Sequence, residues 1–321
     1  MKPNDSQNVT ASSSQAQAEH SSQEILEGAH ASQEILGGAH ADSETDTSLQ
    51  EEIAFSSEKL KDIIAGLEKD ITSGSWIHTN YAHVDIKMMP ALVKQANEKY
   101  PDMKLQLVND PYNLASLMEK AINDQVQSSR FIISSKTLGI HFAVIDYRAV
   151  GVENSFILFE PTKFHGIPQD MLMTRILMAV KSRGLPNCHF SMAEMDIQRS
   201  FSECGIFSLA LAKKLHTESA RLEKLHEDNV KGILCEPDTP IPYDKLDLYL
   251  PATFYKHTQG MGRLQKYIKS NPNAADEKVN KKGETLLERL DNNSVATKEY
   301  KAVSVSSHRK RVREYKGALT L

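Results

Sequence analysis

The chain has 321 residues and a formal net charge of −4, and its apolar, aromatic and charged fractions are 40%, 7% and 25%. This composition is ordinary for a globular protein, and the length allows one large domain or two modest ones. The three cysteines are few and odd in number, which does not suit a disulfide framework and predicts a reducing compartment. No apolar stretch approaches the length of a membrane span.

Residues 1–50 are polar and acidic, with one Lys against eight acidic residues and a near-duplication, Ser21–His30 and Ala31–His40. Two short copies cannot stack into a solenoid, and repeat expansion explains their histidines without metal ligation. The start of the chain lacks the charged and apolar regions of a standard signal peptide. We therefore predict a disordered secretion or translocation region. The pattern also fits a cytosolic protein.

Order is predicted to begin near Ile53 with three helices. Ser56 or Ser57 suits the first as a cap and Gly74 as a stop, whereas Pro90 is placed in the first turn of the second. The predicted helices are Ser57–Ile71, Met88–Pro101 and Leu114–Asp124.

The pattern then changes to short runs rich in β-branched and aromatic residues, separated by turn residues. Three consecutive runs with short connections favour antiparallel strands, at Phe131–Ser135, Gly139–Arg148 and Ser155–Pro161. A helix, a strand and an apolar helix follow, at Asp170–Gly184, His189–Gln198 and Cys204–His216. The pattern predicts an α+β core with helical flanks.

Positive charge is concentrated in the last fifth of the chain, where Lys and Arg number fifteen against seven acidic residues from Lys256 onwards. Helical patterns cover Ala220–Leu234 and Gly262–Ser270, before the basic segment His308–Lys316. Such an excess predicts an anionic partner, which from charge alone is a nucleic acid, membrane phosphate or a soluble polyphosphate.

Three residues are candidates for a catalytic site. Cys204 opens a helix, where unpaired backbone N–H groups and the helix dipole favour the thiolate. His141 lies within an apolar strand and Glu160 closes the next one, so antiparallel pairing would bring them together. The three could act as nucleophile, base and orienting carboxylate, with the Gln198 amide donating to an oxyanion.

Each of these residues also has a structural interpretation. A strand histidine is often a satisfied core residue, a glutamate at a strand end is usually solvated, and a helix-starting cysteine is often a small buried hydrophobe. Cys188 and Cys235 lack a helix start, so they are weaker nucleophile candidates.

Six segments together closely resemble the YopJ family of acetyltransferase effectors: GIHFAVID, ILFEP, CHFSMAEMDIQRSFSECGIFSLALAKKL, KLHEDNVKGIL, YLPATFYKHTQG and HRKRVREYK. The resemblance runs from about Glu51 to the end. Its order of His, acid, Gln and Cys also resembles adenain and Ulp-type cysteine proteases (clan CE), which implies that fold. The family's catalytic residues fall on His141, Glu160 and Cys204, and Gln198 takes the oxyanion position. Phe201 departs from the pattern, because the family usually has Ser there.

The resemblance implies transfer of acetyl from acetyl-CoA, through a Cys204 acetyl-enzyme, to Ser, Thr or Lys of host signalling kinases such as MAP kinase kinases. It further implies type III secretion, action in the host cytoplasm and silencing of innate defence signalling. The catalytic core is expected at about 125–218. A regulatory part is expected at about 219–321, together with the helices of 53–124.

The family also requires inositol hexakisphosphate as an activator, which suits the basic C-terminal region. The resemblance places its ligands at Lys214, Lys256, His257 and Arg289, with Lys281, Lys282, Arg309 and Arg311 as further candidates. It places CoA contacts at His141, Arg199, Ser200, Gln259, Gly260, Met261 and Gly262. No metal is expected.

Three other functions compete with acetyl transfer. A cysteine protease of ubiquitin-like modifiers would use the same triad, but it has no evident need for a polyphosphate clamp. An inactive kinase-binding protein would not need intact His141, Glu160 and Cys204. Nucleic-acid binding lacks interleaved aromatics or a recognisable module.

Overall fold

The computed structural model describes residues 55–136, 139–164, 166–296 and 302–320. The predicted disordered region 1–50 lies outside these residues. Within them, no helix combines the length and the apolar character that crossing a bilayer demands.

A five-stranded sheet forms the centre of the fold, with its strands in sequence order. The three central strands pair antiparallel, as predicted, whereas both edge strands pair parallel to their neighbours. The first edge strand was not predicted. The strands are β1 Leu105–Val108, β2 Ser128–Ser135, β3 His141–Val150, β4 Glu153–Glu160 and β5 Cys188–Glu194.

Helices cover both faces of this sheet. They are α1 Ser57–Ser73, α2 Ala82–Lys99, α3 Pro111–Asn123, α4 Ile167–Arg183, α5 Cys204–Thr217, α6 Glu223–Val230, α7 Tyr243–Leu246, α8 Met261–Ser270, α9 Leu286–Asn293 and α10 Ser306–Ala318. A small antiparallel ribbon joins β6 Ser294–Val295 to β7 Val303–Ser304.

The sheet separates two apolar cores. Phe142 and Val144 of β3 face a core shared with α2, α5 and the C-terminal helices, whereas Ala143 and Ile145 face a core shared with α3 and α4. Both faces are buried, which is why these strands read as continuous apolar runs. The α+β class is therefore confirmed. The first core includes residues from Leu60 to Ala318, so it joins the expected catalytic and regulatory parts.

Several predicted boundaries were right. Ser56 caps α1 through its side chain, and Gly74 ends that helix with a φ of 77°, in the left-handed region that suits glycine. Gly184, with a φ of 59°, ends α4 in the same way.

Other boundaries were wrong. Helix α2 begins at Ala82 and not Met88, so Pro90 lies inside it; burial of Met88, Met89 and Leu92 offsets the hydrogen bond that proline cannot donate. Strand β5 ends at Glu194 and not Gln198, because Asp196 takes a φ of 53°. In place of one helix over Ala220–Leu234, a short 3₁₀ turn precedes α6.

Candidate active site and polycation cluster

His141 and Glu160 meet at one end of the sheet. His141 starts β3 and Glu160 ends β4, and Nε2 of His141 lies 2.7 Å from Oε2 of Glu160. The other oxygen of Glu160 accepts from the backbone N–H of Thr162 at 2.9 Å and from its hydroxyl at 2.7 Å. The carboxylate is fully buried and holds the imidazole in a single orientation.

Cys204 stands at the first position of α5 and interacts with the same imidazole. Burial would lower the pKa of His141, but the charge of Glu160 and then the charge and hydrogen bond of Cys204 outweigh it, so this pKa lies well above 6.5. An imidazolium beside a thiolate is the arrangement that a cysteine nucleophile needs. Cys188 differs, because burial raises its thiol pKa to about 11.

Gln198 lies beside the triad but is already engaged. Its side-chain N–H donates to the Ser200 carbonyl at 2.8 Å, while its amide oxygen is buried and has no partner within the described part of the chain. An oxyanion role for its amide would require this bond to be exchanged. Gln198 also lines an open cleft of about 330 Å³, whose other walls are Thr162, Lys163, Gln169, Asp196 and Arg199.

The segment 199–203, here called the nucleophile loop, is held in place by the carboxylate of its last residue, Glu203. This carboxylate accepts from the Ser200 hydroxyl at 3.0 Å, from the Gln259 amide at 2.5 Å and from the Ser307 hydroxyl. Despite burial, which acts to raise it, the pKa of Glu203 is lowered by hydrogen bonds and charges from His308 and Arg311. The residue before the nucleophile is thus a buried anion.

The buried anion is part of a network between distant helices. Arg311 of α10 donates from Nε and Nη2 to the two carboxylate oxygens of Asp85 in α2, both at 2.9 Å. It also lies 3.3 Å from Glu203 and donates to the Ser202 carbonyl at 2.8 Å. Sequence reasoning missed Asp85 and Glu203. Arg311, the cation that both carboxylates share, is 226 residues from Asp85 and 108 from Glu203, so no local pattern could reveal these ion pairs.

The expected CoA contacts divide into two groups. Gln259 is fully buried, its amide oxygen accepts from the backbone N–H groups of Arg199 and Ser200, and its nitrogen donates to side chains. Ser200 is 5% exposed and bonds Glu203. The structure therefore does not support direct cofactor contacts from the side chains of Gln259 and Ser200, because both are used to position the nucleophile loop.

The remaining expected contacts are more accessible. The Arg199 side chain is 26% exposed, and its guanidinium pairs with Asp196 at 2.8 Å. Gly260 packs against Arg199, since a Cβ there would lie 3.3 Å from Nε. Met261 is half-buried at the start of α8, and a Cβ at Gly262 would meet open space.

Lys214, Lys256, His257 and Arg289 do come together, and they form the polycation cluster with Lys310 and Arg313. Burial and then the charges of Lys214, Lys310, Arg289 and Arg313 lower the pKa of Lys256 to about 7. Burial and then Lys256 and Arg289 lower the pKa of His257 well below 6.5. Such mutual repulsion is relieved by an anion.

Lys310 and Arg313 join this cluster although the sequence analysis did not name them, whereas Arg311 pairs with buried carboxylates instead. Lys310 and Arg313 are three residues apart in α10, the spacing that places side chains on one helix face. Arg311, by contrast, is fully buried between Asp85 and Glu203. Arg309 donates to Asn293 at 2.9 Å and adds to the charge around Arg289, whereas Lys281 and Lys282 are exposed.

A second group of Ser, His and Asp side chains, apart from the candidate active site, has a structural role. Nδ1 of His226 lies 2.8 Å from the Ser155 hydroxyl, and Nε2 lies 3.0 Å from Asp146, which also pairs with Arg130. All four side chains are at most 2% exposed, so no substrate can reach the serine. Among the residues that the structure describes, no three His, Cys, Asp or Glu side chains are grouped to hold a metal.

Comparisons with known proteins cover most of the chain. The model of a family described as YopJ serine/threonine acetyltransferase matches residues 60–317. The serine/threonine-protein acetyltransferase YopJ of Yersinia pestis is 54% identical over 264 residues, 82% of this chain and 91% of that protein.

Two solved structures are also similar. AvrA delL154 with IP6 and CoA has a TM-score of 0.78 at 46% identity, covering 83% of this chain and 99% of AvrA. HopZ1a in complex with IP6 and CoA has a TM-score of 0.63 at 19% identity, covering 83% and 99%, and it shows the shared fold.

Proposed function

Because this chain belongs to the YopJ serine/threonine acetyltransferase family, we propose that it transfers acetyl from acetyl-CoA to Ser, Thr or Lys side chains through an acetyl-enzyme on Cys204. The observation that carries this proposal is the buried array in which Glu160 holds His141 and His141 meets Cys204. The family membership selects acetyl transfer among the reactions that such an array can perform.

The first half of the reaction begins with the thiolate–imidazolium pair. The sulfur of Cys204 attacks the acetyl carbonyl carbon, the bond from that carbon to the CoA sulfur breaks, and the imidazolium of His141 gives its proton to the departing thiolate. Glu160 keeps the imidazole oriented throughout. The products are an acetyl-enzyme, a neutral His141 and CoA.

The second half returns the enzyme to its starting state. Neutral His141 takes the proton of the acceptor hydroxyl or amine, the acceptor atom attacks the acetyl carbonyl, and the Cys204 thiolate leaves. The imidazolium is re-formed beside it. Two products released in turn imply ping-pong kinetics.

The accessible CoA candidates suit an anionic co-substrate. Arg199 begins the nucleophile loop and lines the cleft with a partly exposed side chain, and Gly260 allows close approach beside it. CoA is present in the AvrA and HopZ1a structures. We assign CoA contacts to Arg199 and to the segment Gly260–Gly262, with His141 at the acetyl end.

The polycation cluster suits inositol hexakisphosphate, which the same two structures contain as IP6. Burial keeps Lys256 poorly solvated among like charges, so phosphate groups would restore its ammonium form. Arg289 already donates to the Lys256 carbonyl at 2.8 Å and to Ser306 at 2.7 Å, which fixes its orientation. The assigned ligands are Lys214, Lys256, His257, Arg289, Lys310 and Arg313.

The acceptors are proposed to be host signalling kinases, including MAP kinase kinases, reached after type III secretion into the host cytoplasm. An acetylated Ser or Thr hydroxyl cannot be phosphorylated, so the segment that carries it cannot gain the charge that orders it. Defence signalling through that kinase would stop.

The test incubates the protein with radiolabelled acetyl-CoA and a MAP kinase kinase, with and without inositol hexakisphosphate. Label should reach Cys204 and then the kinase, and Cys204→Ala should abolish both. Cys188→Ala is the matched control, because that thiol is outside the array, and it should retain both. Label on the kinase in Cys204→Ala contradicts the mechanism, and isopeptide cleavage of a ubiquitin-like modifier without any labelling favours a cysteine protease.

A further inference from the structure

The first two residues of α10, here called the serine bridge, connect the polycation cluster with the nucleophile loop. The Ser306 hydroxyl lies 2.8 Å from Nδ1 of His257 and accepts from Nη2 of Arg289 at 2.7 Å. The next hydroxyl, that of Ser307, donates to the carboxylate of Glu203. Both serines are 2% exposed, so little water competes for these bonds. One residue of the bridge therefore contacts the cluster, and the other contacts the residue before the nucleophile.

A second connection runs beside the bridge along one short segment. His257 belongs to the cluster, and Gln259, two residues later, accepts from the backbone N–H groups of Arg199 and Ser200. The Gln259 amide also donates to the Ser307 hydroxyl at 3.0 Å, so the two connections meet. A displacement within the cluster is thus only two bonded contacts away from the nucleophile loop.

The cluster is the part of this arrangement that an anion would change most. Lys256 and Arg289 place positive charge beside the buried His257. Phosphate groups remove this repulsion and attract the same side chains, two of which contact Ser306. Because a closely packed interior is hardly compressible, a movement of Ser306 is passed on to Ser307.

We propose that the serine bridge couples polyphosphate binding at the cluster to the reactivity of Cys204, by setting the position of Glu203 and with it the nucleophile loop. Ser306 and Ser307 are positioning residues, since they act through Glu203. This inference rests on the proposed function. It assigns inositol hexakisphosphate a direct effect on the thiol, separate from any effect on the binding of acetyl-CoA.

The experiment measures alkylation of Cys204 by iodoacetamide in the full chain without acetyl-CoA, and mass spectrometry counts the modified peptide. The rate is measured with saturating inositol hexakisphosphate and without it, and the ratio of the two rates is compared between variants. In the wild type this ratio should be about 5 to 150. Calorimetry gives the dissociation constant of the ligand for each variant.

Variants of Ser307 test the contact with the nucleophile loop. Ser307→Ala should reduce the ratio by about 2- to 30-fold and leave the dissociation constant nearly unchanged, because the lost bond is to Glu203 and not to the cluster. Ser307→Thr keeps the hydroxyl and should retain most of the wild-type ratio. Ser129→Ala is the matched control, since Ser129 is 1% exposed and its hydroxyl has no partner among the described residues. It should keep the wild-type ratio.

Ser306→Ala tests the contact with the cluster, and its ratio should also fall. The double variant of Ser306 and Ser307 should lose little more than the stronger single variant, because both substitutions interrupt the same connection. Two independent structural effects would multiply instead. This comparison separates a positioning role from a general loss of stability.

Four results overturn the inference. They are a wild-type ratio of one or less although the ligand binds, an unchanged ratio in Ser307→Ala, an unchanged ratio in Ser306→Ala, and losses that multiply in the double variant. If Ser307→Ala does not fold, Ser306→Ala decides. A wild type that binds no inositol hexakisphosphate contradicts the proposed site, and the inference falls with it. Normal acetyl transfer together with a wild-type ratio of one contradicts the inference alone.

Discussion

The guanidinium of Arg311 lies 3.3 Å from the carboxylate of Glu203, the residue immediately before Cys204. Both side chains are at most 1% exposed, and Arg311 also binds Asp85 of α2. Helix α10 is therefore joined to the start of α5 by a buried ion pair. The same helix contributes Lys310 to the polycation cluster, so α10 contacts both the cluster and the residue before the nucleophile.

Arg311→Ala should destabilise the protein by about 3–5 kcal/mol, because Asp85 and Glu203 would remain buried without their cation. Lys316→Ala is a matched control on α10. Its pair with Glu68 is 53% and 49% exposed, so we expect a loss of about 0–1 kcal/mol. Urea unfolding of each variant measures the difference. Equal losses for the two variants would show that the buried pair contributes nothing special.

Gly205→Ala should destabilise the protein by about 1–3 kcal/mol and slow acetyl-enzyme formation. The new Cβ would lie 3.1 Å from Oδ2 of Asp85 and 3.3 Å from Cε of Met89, so Asp85 would have to move, directly beside Cys204. Gly66→Ala is the control: it lies in α1 with open space around it, and should stabilise by about 0.5–1 kcal/mol. A Gly205→Ala protein as stable as the wild type would show that α2 and α5 can separate without cost.

Glu160→Gln should slow acetyl-enzyme formation by about 100- to 10,000-fold, because the charge that stabilises the His141 imidazolium is lost. The amide is nearly the same size, so the fold should persist, which circular dichroism can verify. Thr162→Ser preserves the hydroxyl that bonds Glu160 and should leave the rate nearly unchanged. A Glu160→Gln rate within tenfold of the wild type would remove this carboxylate from the mechanism.

Binding of inositol hexakisphosphate should take up protons above about pH 7 and weaken as the pH rises further. The pKa of Lys256 is about 7 without ligand, so its amine is largely neutral above that pH, and phosphate contacts raise this pKa again. Below pH 7 the ammonium is already present, so the contribution of Lys256 to the uptake should disappear. Calorimetry in buffers of different ionisation enthalpy counts the protons.

Lys256→Arg isolates this effect, because arginine keeps its charge at these pH values. The variant should bind with less proton uptake than the wild type between about pH 7 and 9, while the titration of the ligand itself contributes equally to both. Identical proton uptake in the two proteins would place the titrating group elsewhere.

Local sequence patterns identified the elements of the catalytic array because each has a short-range cause. The apolar run from Cys204 marks a helix start, and the β-branched runs ending at Glu160 and including His141 mark neighbouring strands. Their short connections forced antiparallel pairing, and this brought imidazole and carboxylate together. The boundaries at Pro90 and Asp196 were missed because tertiary packing and one left-handed residue decided them.

The sequence by itself determined the α+β class, the pairing of the central strands and the concentration of positive charge near the end of the chain. Only the tertiary structure decided which charges are partners. It buried Arg311 against Asp85, 226 residues away, yet left Lys310 and Arg313 in the polycation cluster. The physical reason is that helical periodicity specifies which side chains share a face, whereas the packing of distant segments specifies whether that face meets a buried carboxylate, another cation or solvent.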